Sequence, residues 1–160
     1  MHIEGPSTSS TGLDEFESLW RELHRQHLAV ARYRALVQDP QTSWQRRRLW
    51  YRELLTHGGG YFVAREGDAA VGYAMTQAVL GTDDTFEVRG GIVEIISLVV
   101  IESMRSRGVG RALVAAVRDF ATRAGIDTLK VAVMVGNERA EDFYASLGFE
   151  PAEQVLYVKL

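Results

Sequence analysis

The chain has 160 residues, 46% hydrophobic and 24% charged, which suits one globular domain with a substantial core and excludes a largely disordered chain. Its formal charge of −3, from 18 basic against 21 acidic side chains, argues against a nucleic-acid partner and is permissive toward cationic ligands. No apolar run reaches the ~18 residues that would cross a bilayer, so no membrane partner is expected. The absence of cysteine removes disulfides, thiolate metal sites and a cysteine nucleophile. The opening MHIEGPSTSS lacks the basic start and apolar middle of a secretory signal, so the cytoplasm is the expected location.

Residues 1–12, with Gly5, Pro6, a Ser/Thr cluster and Gly12, read as a flexible arm preceding a single domain over 13–160. No strand is expected before Leu13. Thr11 and Asp14 offer a capping-box-like start, and Leu13, Phe16, Trp20, Leu23 and Val30 recur at helical spacing until Asp39-Pro40. Thr42 and Gln45 repeat the cap pattern, and Trp44, Tyr51 and Leu55 give a second helix one apolar face, ended by Gly58-Gly59-Gly60. The period then becomes two. Tyr61–Arg65 and Ala70–Leu80 predict a hairpin across Glu66-Gly67-Asp68, followed by a turn at Gly81-Thr82-Asp83-Asp84. Phe86–Arg89 reads as strand or loop. Ile92–Val100, β-branched nearly throughout, predicts a central strand covered on both faces. A helix over about Gly108–Ala124, a strand over Thr128–Val135, a short helix over Glu138–Leu147 and a last strand over Val155–Leu160 complete the chain. This order fits one mixed α/β sheet, with antiparallel hairpins first and a crossover later.

The chemically informative stretch is Arg105-Ser106-Arg107-Gly108-Val109-Gly110-Arg111-Ala112, between the buried strand and an amphipathic helix. Glycines let the backbone bend and approach a ligand, and the start of a helix leaves N–H groups unpaired at the positive end of its dipole. Three arginines add charge, so a phosphate or pyrophosphate is the natural occupant; the plainer alternative is a tight strand-to-helix turn with solvated arginines. A dinucleotide fingerprint is ruled out because Leu113 stands where a third small residue is needed, and a P-loop because Gly-Lys-Ser/Thr is absent.

Here the chain resembles the GCN5-related N-acetyltransferases. Arg105-x-x-Gly108-x-Gly110 matches that family's Q/R-x-x-G-x-G/A loop, Leu98-x-Val100 precedes it at the usual offset, and Asn137, Ala140, Tyr144 and Gly148-Phe149 follow as a second signature. The resemblance implies an α/β (α+β) acyl-CoA N-acyltransferase fold, a mixed and mostly antiparallel sheet flanked by about four helices. It implies acetyl-CoA as acyl donor and an amine as acceptor, either a small molecule or a protein. The amides of Gly108, Val109, Gly110, Arg111 and Ala112 would bind the pyrophosphate. The backbone of Leu98, Val99 and Val100 would pair with the pantetheine arm as an added strand. Asn137 would hydrogen-bond the same arm, with Ala140 and Phe143 packed beside it.

Acyl transfer to an amine requires a proton to leave nitrogen and one to reach sulfur. By resemblance Tyr144 is the general acid; its alternative is an aromatic that packs the last helix onto the sheet. Glu94 is the candidate base, acting directly or through water. A carboxylate inside an apolar strand is costly unless satisfied, and desolvation makes it a stronger base; its alternative is a solvated carboxylate or a partner of Arg89. His24 and His27 lie one helical turn apart without a third ligand, so no metal is expected. Arg46-Arg47-Arg48 reads as a solvated face, and Asp83, Asp84 and Glu87 as a solvated acidic turn. By analogy with the family, the helix pair bearing Trp20, Tyr33, Trp44 and Tyr51 would wall the acceptor pocket. The rival reading is a non-catalytic acyl-CoA sensor of the same fold, and a homodimer is left open.

Overall fold

The computed structural model describes residues 1–32, 37–83 and 85–160, which leaves Tyr33 and Asp84 outside the described residues. Five strands form one sheet in sequence order: β1 (His2–Ser7), β2 (Gly59–Glu66), β3 (Ala69–Leu80), β4 (Gly91–Val100) and β5 (Thr128–Val131). The first three pairings are antiparallel and β4–β5 is parallel. The helices are α1 (Glu17–Val30), α2 (Pro40–Thr56), α3 (Val109–Arg123) and α4 (Glu138–Ala145), with 3₁₀ turns at Leu13–Phe16 and Glu102–Met104. This is the mixed, mostly antiparallel sheet with four helices that the sequence implies.

The sheet has a core on each face. On one, Val93, Ile95, Leu113, Val114, Val117 and Tyr144 belong to a cluster that includes α3 and α4. On the other, Leu13, Phe16, Trp20, Tyr51, Tyr73 and Val99 join the sheet to α1, α2 and the first 3₁₀ turn. Strand β4 feeds both, as expected of a central strand. Its alternation slips once: Met75 of β3 pairs with Ser97, but Thr76 pairs with Ile95, so Ile96 is an extra residue, a β-bulge. Ile96 and Ser97 therefore both face α1 and α2. There the Tyr51 hydroxyl donates to Ser97 Oγ at 2.7 Å and lies 3.1 Å from the Tyr73 hydroxyl. Burial raises the pKa of both phenols, so both stay neutral.

The structure corrects several expectations. Residues 2–7 are not a flexible arm but an edge strand, whose poor β composition is offset by side-chain anchors. Ile3 packs on the core, and Arg65 donates to Glu4 at 2.7 Å and to Glu15 at 3.0 Å. Pro6 is tolerated because the strand is at the edge and its register shifts between Glu4 and Ser7. The cap of α2 is Asp39, whose Oδ1 accepts from the N–H of Gln41 and Thr42, with Pro40 in the first turn where its missing N–H costs nothing. Thr42 does not cap α2, and no side chain caps the 3₁₀ turn that Thr11 was expected to open. Residues 86–89 are not a strand, and β5 stops at Val131 rather than Val135. The expected last strand, Val155–Leu160, is unpaired and exposed, since the sheet ends at β5 and places no strand beside it.

Where α1 faces α2, His27 is held largely out of water beside Arg47 and His24, and burial is the chief cause that lowers its pKa to about 4. Between that value and the unfolded ~6.5, the unfolded chain binds more protons than the folded one. Stability therefore falls as pH drops from about 6.5 to about 4. His27→Gln is expected to flatten this part of the profile, as read from urea midpoints at pH 7.5 and 5. Leu113→Ala, at a fully buried position, is expected to cost about 3 kcal/mol in the same measurement.

Candidate functional site

The site begins where two parallel strands stop pairing. The β4–β5 register runs from Ile92 opposite Thr128 to Ile95 opposite Val131 and goes no further. Strand β4 continues for five residues with β3 alone on its other side. Antiparallel pairing uses alternate residues, and the N–H of Ile101 goes to Val71 on the β3 side. Leu98 and Val100 therefore turn their peptide groups into the gap, while Val99 is engaged with β3 and its side chain is buried. The gap is the open ladder expected at Leu98–Val100, with one amendment. The carbonyl of Val100 accepts from Arg105 Nε at 3.0 Å.

That bond redefines Arg105. Its guanidinium also pairs with Glu22 of α1, and only a fifth of its side chain is exposed. The guanidinium thus ties the loop to β4 and α1. Among the described residues Arg107 makes only a 4.0 Å contact with Met104 Sδ, and Arg111 donates to Ser146, the C-cap of α4, at 3.3 Å. Ser106 and Gly108 both have positive φ, 59° and 85°, and Gly108 is the N-cap residue of α3 without any side-chain cap.

A Cβ at Gly108 would meet nothing within 4 Å, so this glycine serves backbone conformation and leaves open space in front of the helix. The first intrahelical bond runs from Ala112 N–H to Gly108 C=O at 2.9 Å. Ala112 is therefore committed, and the N–H groups of Val109, Gly110 and Arg111 remain outside the helical ladder. The side chain of Val109 is core. Gly110 has a different reason to be small: its Cβ would lie 3.2 Å from the Phe143 ring, which packs α4 against α3.

Beyond β5, Asn137 is the N-cap of α4, its Oδ1 accepting from Ala140 N–H at 3.3 Å. That leaves the amide NH₂ as the part able to serve a ligand. Ala140 and Phe143 line the same core, and Tyr144 is buried between Phe143 and Phe149, its ring centroid 5.1 and 5.3 Å from theirs. Its hydroxyl makes no hydrogen bond among the described residues and is not sealed from solvent. Burial raises its pKa, so the proton stays on oxygen at neutral pH.

Glu94 is half-buried on the α1/α2 face, opposite Gln77 of β3 and Lys130 of β5. It does not pair with Arg89, whose own N–H donates to Asp127 at 2.9 Å. Glu94 and Tyr144 thus approach the gap from opposite faces of the sheet. Helix α1 touches both sides of the opening. Glu22 meets Arg105 after β4, and Val30 and Arg32 lie against Gly136 after β5. Sequence reasoning misses two roles, that of Glu22 as anchor of Arg105 and that of Asn137 as cap. An N-x-x-A start to a short helix could have signalled the cap.

A sequence profile of the acetyltransferase (GNAT) family matches residues 16–149, and the chain belongs to that family. An uncharacterized protein of Mycobacterium leprae is 37% identical over 99 residues, which cover 62% of this chain and 25% of that protein. The chain thus matches about a quarter of its relative's length. Among solved structures, a tetramutant of the BH1408 protein from Bacillus halodurans superposes over 100% of both chains with a TM-score of 0.80 and 22% identity. The aminoglycoside acetyltransferase AAC(6′)-Iy, solved with the bisubstrate analog CoA-S-monomethyl-acetylneamine, covers 100% of this chain and 99% of its own, with a TM-score of 0.69 and 21% identity. At these identities the two structures establish the fold. Among the described residues no helix is long and apolar enough to cross a membrane, and no cluster of three or more acidic, His or Cys side chains suits a metal.

The double use of Asn137 can be separated. Asn137→Ala is expected to destabilise the protein by about 1 kcal/mol through the lost cap. Asn137→Asp keeps the acceptor and should stay within about 0.5 kcal/mol of wild type in urea unfolding. Both variants remove the free amide donor, and both should weaken coenzyme A binding in a calorimetric titration.

Proposed function

We propose that the protein transfers an acetyl group from acetyl-CoA to the amine of a small molecule. The observation that carries this reading is the gap itself: the Leu98 peptide groups and the Val100 N–H turn into it, and the start of α3 that follows leaves the N–H groups of Val109–Arg111 outside the helical ladder. A ligand with a peptide-like arm ending in a diphosphate fits both. Arg105 takes no part in contacting it and acts as a positioning residue. Aminoglycoside acetylation by a structural neighbour supports a small amine as acceptor.

The donor supplies an activated thioester carbonyl; the remaining tasks fall to the protein. The β4 edge and Asn137 aim the carbonyl along the gap. The acceptor nitrogen forms an N–C bond as the C–S bond breaks, and its proton passes to Glu94, directly or through a water. Tyr144 faces the departing sulfur. A phenol with a raised pKa is a weak acid, so its main contribution is a hydrogen bond that strengthens as sulfur gains charge, with the proton following. Thiol and amide are the products; Glu94 returns its proton to solvent and Tyr144 regains one from it, which resets both groups.

Acetyl-CoA at 100 times its Kd should stabilise the wild type by about 2.7 kcal/mol, read as a rise in Tm. Gly108→Val, which puts a branched side chain at φ 85°, should abolish that rise. Tyr144→Phe should reduce kcat on the order of 100-fold while leaving the Tm shift intact. Glu94→Gln should lose most activity at low pH, where fewer acceptor amines are free. An amine panel read by thiol release tests the reading as a whole. Acetyl-CoA binding without turnover of any amine would instead favour an acyl-CoA sensor.

A further inference from the structure

Helices α1 and α2 enclose a second feature, an open cavity of about 270 Å³ lined by Trp20, Gln38, Ser43, Arg46, Arg47 and Trp50. Its walls are two indoles and its polar groups are donors or neutral. Arg47 is the distinctive member. Its guanidinium carbon lies 4.1 Å from the centroid of the Trp20 ring, 4.6 Å from Trp50 and 5.6 Å from Tyr51. Aromatic stacking satisfies the faces of a guanidinium, but its five N–H donors lie in the plane. Arg47 makes no hydrogen bond or ion pair among the described residues.

Other arginines in the molecule set the contrast. Arg21 pairs with Glu17, Arg48 with Asp14, Arg65 with Glu4 and Glu15, and Arg105 with Glu22. Among the described residues the ionisable groups that act on or are acted on by Arg47 are Tyr51, Tyr73 and His27, and no carboxylate pairs with it. Burial here works against the charge of Arg47. A half-buried cation without a counter-charge among the described residues, facing a cavity, suits an anion. Ser43 stands beside it, accepting from Trp20 Nε1 at 3.2 Å, with its oxygen 3.4 Å from His24 Nδ1. Behind the cavity wall, Tyr51, whose ring centroid lies 5.6 Å from the Arg47 guanidinium, donates to Ser97 of β4, so the wall rests on that strand.

We propose that this cavity holds the carboxylate of the acceptor, with Arg47 as its partner and Trp20 and Trp50 against the apolar body, so that the preferred substrates are amines bearing a carboxylate. A planar guanidinium fork can meet the two oxygens of a carboxylate with two parallel N–H···O bonds. This rests on the acyl-transfer reading for the amine, but the anion site can be tested apart from it.

Two measurements do so. In the first, leucine and phenylalanine are compared with their decarboxylated amines, isoamylamine and phenethylamine, at equal free-amine concentration, by thiol release. The acids should be favoured at least tenfold in kcat/KM in the wild type, and Arg47→Met should erase the preference by raising KM for the acids alone. In the second, indole emission is titrated with N-acetylleucine and N-acetylphenylalanine, and with their amides, without acetyl-CoA. The acids should perturb emission of the wild type and the amides should not. If Arg47→Met fails to fold, the wild-type comparison of acid with amide decides. Binding of the acids with no amine turned over would sink acyl transfer and leave the anion site standing. Equal turnover of acids and amines, with no emission change from the acids, would overturn the anion site and leave acyl transfer standing.

Discussion

The site depends on one constraint: β4 and β5 pair for four residues and then separate. A parallel ladder that continued would consume the peptide groups of Leu98 and Val100 and leave no edge for a ligand. The separation is built into the segment that leaves each strand. Arg105, bonded to Val100 and Glu22, fixes the chain leaving β4, and Gly136, packed against the end of α1, fixes the chain leaving β5. Strand, loop and helix dipole therefore meet in one place because the backbone cannot close over it.

Within that frame, charge is used less for contact than for position. The arginine that stands first in the loop is turned inward as a clasp, and on the reading proposed above the open end of α3 meets an anion through peptide N–H groups. The two glycines of the loop also divide their work. Gly108 allows a left-handed turn into open space, whereas Gly110 lets the Phe143 ring lie against α3. A sequence pattern in which both look like ligand glycines thus merges a conformational requirement with a packing one.

The sequence makes most of the frame legible. Ile92–Val100 announces a central strand through its branched side chains, α3 through its apolar stripe, and the order of glycine loop, asparagine and closing Gly-Phe identifies the family. What stays hidden depends on distant partners. Residues 2–7 look like an arm because Gly5, Pro6 and Ser7 have no strand preference, and what holds them in the sheet, the core under Ile3 and Arg65 on β2, lies far along the chain. Glu22 gives no local sign that it anchors Arg105. Val155–Leu160 shows the opposite failure: a strong local pattern with no partner strand beside β5. The candidate base and acid are visible as unusual residue types, but their approach from opposite faces is fixed only by strand register.

The extra residue at Ile96 has a further consequence. It changes the frame in which β4 is read, so that the stretch before it and the stretch after it present opposite parities to the two halves of the molecule. Were the same residues strung in unbroken alternation, Leu98 and Val100 would turn from the α3 core toward α1, and the hydroxyl that Tyr51 grasps would move to the wrong side. Deleting Ile96 would leave those orientations in place, because Ile95 and Ser97 already pair with the adjacent β3 residues Thr76 and Met75; what would be lost is the local bend of β4 just before it parts from β5.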